Sequence, residues 1–343
     1  MTLDIEELTH HYGSEPAVEG VSFSVDGGEL VALLGPSGCG KTTIVQTIAG
    51  HIRPTTGRIS LRGQPVTTQP PEARGVGVVF QEPTLYPHLT VAENVAYGLT
   101  ARGMPADERT QRVDDYLSLV DLLDAHDSMP AQLSGGQRRR VELARALAPK
   151  PDILLLDEPL SALDSALRRR LQDEISRIQA ETGVTTLFVT HDQQEAMSLA
   201  DRLVVINEGQ IAAVGEPRSL YQSPPNRFVG SFLGRSNTLA ATAVDGDPSA
   251  IVVDGTRIEC TELPSSTEPV VHIRPEAVAV GSTGEITFSG SVRTVSDRGS
   301  HYDVELELST GERLVGTAHR TPPAVDETVP VGVARRDIVV FDE

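Results

Sequence analysis

A chain of 343 residues and 36.7 kDa with 39% apolar content has room for about two domains of roughly 150 residues, which excludes a disordered chain or a peptide-sized scaffold. No run approaches the roughly 18 apolar residues of a membrane-spanning helix, and the start MTLDIEELTHHYG lacks the basic and apolar regions of a secretory signal, so a cytosolic chain is expected. A net charge of −19 repels nucleic acid; Lys41 and Lys150 are the only lysines among 29 basic residues, and the acid excess favours a host with salty cytoplasm over codon bias, which explains only the missing lysines.

In chain order, Leu3, Ile5 and Leu8, then Val21, Phe23 and Val25, alternate with polar residues as half-buried antiparallel strands do, and Gly27-Gly28 makes a turn. Leu30 to Leu34 is a short continuous apolar run, the pattern of a strand buried on both faces. It leads into Gly35-Pro36-Ser37-Gly38-Cys39-Gly40-Lys41-Thr42-Thr43, after which Ile44, Val45, Ile48 and Ala49 recur at helical spacing. Between about Thr90 and Pro149 the pattern is helical, with Val113, Tyr116, Leu117, Val120 and Leu123 marking one face, which predicts a helical subdomain at about 90–150. Ile153 to Leu156 and Thr185 to Thr190 are further buried-strand runs, ending in Asp157-Glu158 and His191-Asp192. Strands that end in polar residues and lead into helices indicate an α/β fold whose parallel sheet carries a site at its carboxyl ends. From about Gly234 short alternating segments take over, such as Tyr302 to Leu308, closed by a Ser-Thr-Gly-Glu turn before Leu314-Val315. The expected domains are 1–235 and an all-β 236–343. Cys39 and Cys260 fall in different domains, so no disulfide is expected and a reducing compartment fits.

Gly35-x4-Gly40-Lys41-Thr42 has the form of a phosphate-binding loop in its strand-to-helix context. Its N–H groups would surround phosphate oxygens at a helix start, with Lys41 reaching the β and γ phosphates and the Thr42 hydroxyl on Mg²⁺. In molar salt the screening length falls to about 3 Å, so such a ligand must be held by direct contact. Asp157 is placed to hold the Mg²⁺ shell opposite Thr42. Glu158 is either a general base for an attacking water or a surface glutamate at a strand end. Leu133-Ser134-Gly135-Gly136-Gln137 opens a further helix, either as an anion-facing start or as a plain cap. Two phosphate-facing helix starts about 90 residues apart bind two phosphates, or one between two copies.

With LSGGQ beside both phosphate-site segments, the chain resembles the ATP-binding subunit of an ATP-binding-cassette (ABC) importer over essentially its full length. The resemblance implies an α/β P-loop ATPase domain with an antiparallel β subdomain and a helical subdomain. Ile273-Arg274-Pro275-Glu276 and the segment from Phe232 to Asn237 are similar to the small OB-like TOBE barrels of importer ATPases, which favours import over export. It also implies roles. Tyr12 would stack on adenine, and Gln81 would contact the γ phosphate and metal and report them to the membrane subunits. Ser134, Gly135, Gly136 and Gln137 would close over ATP bound by the opposite subunit, Asp164 would cross the dimer interface, and His191 would contact the γ phosphate. Gly35 through Thr43 would bind ATP, with Thr42, Gln81 and Asp157 on the metal and Glu158, His191 and Gln81 in the catalytic set. Cys39 is either an oxidisable block to ATP or, as the commoner family form, a small tolerated side chain.

The implied partners are a second ATPase subunit, preferably identical, two membrane permease subunits and, indirectly, an extracytoplasmic solute-binding protein, with no nucleic acid. The implied location is the cytoplasmic face of the membrane, and the segment from Gln81 to Thr90, with Leu85, Tyr86 and Leu89 as apolar anchors, would receive the permease. Ferric iron, polyamine or thiamine is the preferred cargo, with sugar or an oxyanion as the alternative. A non-transport cassette ATPase would carry two cassettes or long coiled coils, and a P-loop kinase or GTPase would leave LSGGQ and His191 unexplained. Arg138 and Arg139 stand where such proteins often have glutamine, and Glu82-Pro83-Thr84 is also atypical. The runs Arg138 to Arg140 and Arg168 to Arg170 read as solvated, ion-paired helix faces.

Overall fold

The structure, a computed structural model, describes residues 1–82, 84–161, 163–244, 247–260 and 268–341, so Pro83 of the coupling segment and Ala162 of the interface loop lie outside the described residues. The chain forms two compact units, Met1–Pro217 and Arg218–Glu343. In chain order the first carries β1 (Leu3–Tyr12), β2 (Glu15–Val25), β3 (Leu30–Leu34), α1 (Lys41–Ala49), β4 (Thr56–Leu61), β5 (Gln64–Pro65), β6 (Val76–Val79), α2 (Val91–Ala101), α3 (Ala106–Leu119), α4 (Gly135–Leu147), β7 (Ile153–Asp157), α5 (Ser165–Thr182), β8 (Thr185–Thr190), α6 (Gln193–Leu199), β9 (Arg202–Asn207) and β10 (Gln210–Gly215).

The alternation in the first 25 residues produces an antiparallel pair, with Leu3 opposite Val25, Ile5 opposite Phe23 and Leu8 opposite Val21. All six are buried and cover one face of the sheet β2-β1-β4-β5. The uninterrupted apolar runs become the centre of the second sheet, ordered β10-β9-β3-β8-β7-β6, in which every residue of β3, β7 and β8 is buried. Ile44, Val45 and Ile48 of α1 join Leu33, Leu155 and Leu187 of that sheet and Ile5 and Val21 of the first in one core. The parallel register sets Leu34 beside Thr190, Asp157 beside Val189 and Val79 beside Leu156, so four strands end level with one another. Whatever follows them is brought to one edge.

The helical stretch contains α2, α3 and α4. A reciprocal cap starts α2: Thr90 Oγ1 accepts the Glu93 N–H at 3.2 Å and the Glu93 carboxylate accepts the Thr90 N–H at 2.8 Å. Val113, Leu117 and Val120 are buried as expected, but Leu123 is 47% exposed. The α3 helix ends at Leu119 and Asp121 takes φ 53°, so the helical period no longer governs Leu123.

The units divide at Pro217 rather than at residue 235 because the segment after it packs on the β structure. The Arg274 guanidinium donates to the carbonyls of Tyr221 and Arg235 and lies 4.0 Å from the centre of the Tyr221 ring, whose hydroxyl donates to Glu276 at 2.7 Å. The other described residues of the second unit are mainly strands, in two three-stranded sheets and a closed five-stranded barrel. Its Tyr302–Glu307 and Arg313–Ala318 strands form the predicted hairpin, with Glu307 opposite Arg313. His272 is buried in this unit, with Nδ1 2.5 Å from Ser236 Oγ. Burial first, and then the charge of Arg274, push its imidazole down to about 4.

That shift has a sign. The unfolded imidazole takes up its proton near 6.5 while the folded one stays neutral, so stability is complete above pH 6.5 and falls as the pH drops from 6.5 towards 4. Replacing His272 by Gln is expected to flatten the dependence of Tm on pH across this window. An unchanged slope in the variant assigns the acid sensitivity elsewhere.

Candidate nucleotide site

The loop from Gly35 to Gly40 leaves β3 and opens α1. Gly40 has φ 101°, and a Cβ there would strike the Ala17 carbonyl and the Val18 side chain, so only glycine allows the β1–β2 hairpin to lie against the loop. Tyr12 is at the end of that hairpin, paired with Glu15, 55% exposed and edge-on to His10 at 4.8 Å. Gly35 and Cys39 are buried, while Ser37, Gly38 and Thr42 are exposed, and Pro36 is half-buried. Thr43 is buried, and its carbonyl accepts the Thr47 hydroxyl. The Lys41 ammonium folds back over the loop, donating to the carbonyls of Gly35 at 2.9 Å and Pro36 at 2.8 Å. Burial pushes the Cys39 thiol up, so it is held as the unreactive thiol; the nearby Lys41 charge opposes this more weakly.

At the ends of β6, β7 and β8, three expected side chains meet. Glu158 Oε1 lies 3.1 Å from His191 Nδ1, and Glu158 Oε2 accepts a long hydrogen bond of 3.5 Å from the Gln81 carboxamide. Glu158 is held by its backbone: φ is 45°, its N–H donates to Val189 O at 2.9 Å, and its carbonyl accepts from Ser161 N and Oγ. A left-handed glutamate is uncommon, and such strain persists where surrounding structure fixes it. On the other side of His191, Thr190 Oγ1 donates to the buried Glu195 and accepts the Asp192 N–H. Asp157 is 6% exposed, and its Oδ1 is buried without a hydrogen-bond partner. Burial, then the Glu158 charge, push its carboxyl up against weaker opposition from Lys41 and Arg139.

An orphaned carboxylate oxygen beside a phosphate-type loop fits a hard cation. Mg²⁺ takes most of its ligands from phosphates and water, so one such protein oxygen, near the Lys41 charge, is compatible with it.

The LSGGQ residues start α4. Ser134 Oγ accepts the Gln137 N–H at 3.2 Å, and Gln137 Oε1 accepts the Ser134 N–H at 2.9 Å, a reciprocal cap. A Cβ on Gly136 would meet Leu167 at 2.9 Å, so this glycine lets α4 pack on α5, whereas Gly135 faces open space. Asp164 caps α5, accepting from the N–H groups of Ala166 and Leu167. The side-chain bonds of Ser134, Gln137 and Asp164 thus stay local and do not join the Gln81, Glu158 and His191 group.

One expectation is corrected here. Arg139 is not on a solvated face but is 6% exposed, paired with the buried Glu142 at 2.8 Å. Sequence reading also missed Asn94 and Tyr97. Asn94, fully buried, accepts the Tyr86 N–H and donates to the carbonyls of Tyr86, Leu89 and Thr90, shaping the segment around the half-buried Leu85, Tyr86 and Leu89. Tyr97 is 50% exposed with its ring 4.5 Å from that of Tyr86, and Arg145 lies over Tyr86 at 5.6 Å. An outward aromatic on the first helix of the inserted subdomain was the available signal.

The ABC transporter family matches residues 18–161, and the TOBE domain family matches residues 271–341. The spermidine/putrescine import ATP-binding protein PotA of Rubrobacter xylanophilus is 43% identical over 325 residues, 92% of this chain and 85% of that one. The Fe(3+) ions import ATP-binding protein FbpC of Escherichia coli K12 is 39% identical over 327 residues, 95% of this chain and 93% of that one. Among solved structures, cbiO1 from Clostridium perfringens, part of the cbiONQ ABC transporter complex, is 31% identical with a TM-score of 0.60, covering 64% of this chain and 90% of its own. No helix among the described residues is long and apolar enough to cross a membrane. With the phosphate-type loop, the Glu158 group and the second β unit in one chain, and relatives matched over nearly its whole length, the chain belongs to the ATP-binding subunits of ABC importers and is an ATPase coupled to import.

Proposed function

We propose that this ATPase drives import of a polyamine or of ferric iron, working as a homodimer on the cytoplasmic face of the membrane beneath two permease subunits. The observation that carries the catalytic part is the convergence of Gln81, Glu158 and His191 beside the orphaned Asp157 oxygen. In this reading Lys41 and the amides of Gly35 to Thr43 hold the β and γ phosphates, and Tyr12 offers its exposed ring to adenine. Mg²⁺, held by Thr42, Asp157 and Gln81, would neutralise phosphate charge. Glu158 takes the proton of the attacking water, His191 steadies the Glu158 carboxylate and contacts the γ phosphate, and Gln81 relates that site to the segment leading to Tyr86. Ser134, the open Gly135, Gly136 and Gln137, with Asp164, meet the ATP of the second subunit, so ATP shifts the pair from open to closed.

The cargo reading leans on the relatives' names and on no residue of this chain. Deleting the gene and measuring uptake of labelled spermidine and ferric iron tests it: loss of either supports the reading, loss of sugar uptake alone replaces it, and unchanged uptake of both removes it.

The membrane-subunit surface has its own test. Tyr86, its ring tilted 39° to that of Tyr97, offers an apolar platform of the kind that anchors an interface. Tyr86→Asp is expected to bind nucleotide normally but to lose most copurification with the permease subunits. Unchanged recovery in a pull-down at high salt shows that docking lies elsewhere.

A further inference from the structure

Arg139 and Glu142 occupy one buried side of α4, 6% and 1% exposed. Beyond their 2.8 Å ion pair, the guanidinium donates to three main-chain carbonyls: Phe80, Gln81 at 3.3 Å and Pro159 at 2.9 Å. The second Glu142 oxygen accepts the Thr84 N–H. One turn further along α4, Arg145 donates to the Thr84 carbonyl at 2.8 Å and hydroxyl at 2.7 Å. The segment after β6 and the residue after Glu158 therefore hang on one charged pair, carried by the helix that the LSGGQ segment opens.

A buried ion pair is weak evidence for stability, because desolvation offsets its attraction. Its distinctive property is geometry. The planar guanidinium fixes several acceptors at set angles, which a lysine ammonium cannot do. We propose that the Arg139–Glu142 pair is a positioning device for hydrolysis. It holds the Gln81 and Pro159 main chains to α4, and so sets the approach of the Gln81 carboxamide to the Glu158 carboxylate. The proposal rests on the roles given above to Gln81 and Glu158. Both residues of the pair act through others and touch no reacting atom.

The test uses the full chain with Mg²⁺ and ATP. Arg139→Lys keeps the charge and the partner but cannot reach all three carbonyls. It is expected to lower kcat about tenfold or more, since small misplacements at a reacting centre are costly, while KM for ATP stays within about twofold because the loop at Gly35 to Thr43 is untouched. Hydrogen exchange at the Thr84 amide should speed up, with β7 amides unchanged. A purely architectural role would leave kcat intact in the folded variant. If Arg139→Lys does not fold, Glu142→Gln, which keeps the guanidinium in place, carries the test: lower kcat at constant KM with faster Thr84 exchange supports the pair, and wild-type kcat overturns it. Loss of kcat in parallel with loss of ATP binding also overturns it. Glu158→Gln separates the two levels of the argument: normal turnover there removes the catalytic reading, whereas an inactive Glu158→Gln beside a wild-type Arg139→Lys removes only the pair.

Discussion

Replacing Glu158 by Gln is expected to cut ATP turnover by a factor on the order of 10² or more, the usual worth of a general base. The change keeps the side chain's size and an oxygen that still accepts from Gln81, but it removes the proton acceptor facing His191. It also removes a negative charge that, after burial, pushes the Asp157 carboxyl up. ATP binding should survive, because Lys41 and the loop are unchanged. The variant should therefore accumulate as an ATP-filled dimer on size-exclusion chromatography in high salt. Near-normal turnover removes Glu158 from its role and makes His191 the next candidate. An inactive variant that binds ATP and stays monomeric keeps Glu158 as base but counts against two ATP molecules being held between two copies.

Lys41→Ala should act one step earlier. Lys41 is 5% exposed and its ammonium is anchored on the carbonyls of Gly35 and Pro36, so its loss removes both the loop's internal brace and its one lysine charge. Truncating a buried, hydrogen-bonded charge partner typically costs about 2–5 kcal/mol, so ATP affinity should fall by about 30-fold or more. Titration with a fluorescent ATP analogue, with circular dichroism as a check on folding, measures this. Affinity within a few-fold of wild type would show that the loop amides alone hold the phosphates. The two variants should separate on the column, Glu158→Gln closing with ATP and Lys41→Ala staying open.

The strands of the parallel sheet were readable because residues buried on both faces leave nothing polar between Leu30 and Leu34 or between Ile153 and Leu156. Gly35 to Thr43, Glu158 and His191 follow such runs and Asp157 closes one, so the switch from apolar to polar marked their places at strand ends, while the role expected of His191 came from the family resemblance. Arg139 was misread because three consecutive arginines look like a solvated face, and only the register of α4 against β6 and β7 turns the middle one inward. Glu142 and Asn94 were passed over because they bond main-chain atoms, Glu142 the Thr84 N–H of a distant segment and Asn94 the backbone just before its own helix, which side-chain patterns do not display. The bonds from Arg274 back to Tyr221 and Arg235 were not legible either, because such a contact has no local periodicity.

The strand order β9-β3-β8-β7-β6 also constrains how the protein comes into being. The site draws Gly35, Gln81, Glu158 and His191 from four strand ends, and β3 and β7 each pair with β8, which is made last of those four. An emerging chain can bury its first hairpin early, yet these four strand ends are not brought level until β8 has been made and inserted between β3 and β7. Such distant pairings fold slowly, because loop closure precedes the contacts that reward it. Nucleotide therefore acts only on the finished fold, pulling the folding equilibrium by mass action without guiding the earlier steps. A folding-rate measurement should accordingly be insensitive to ATP, while unfolding slows in its presence.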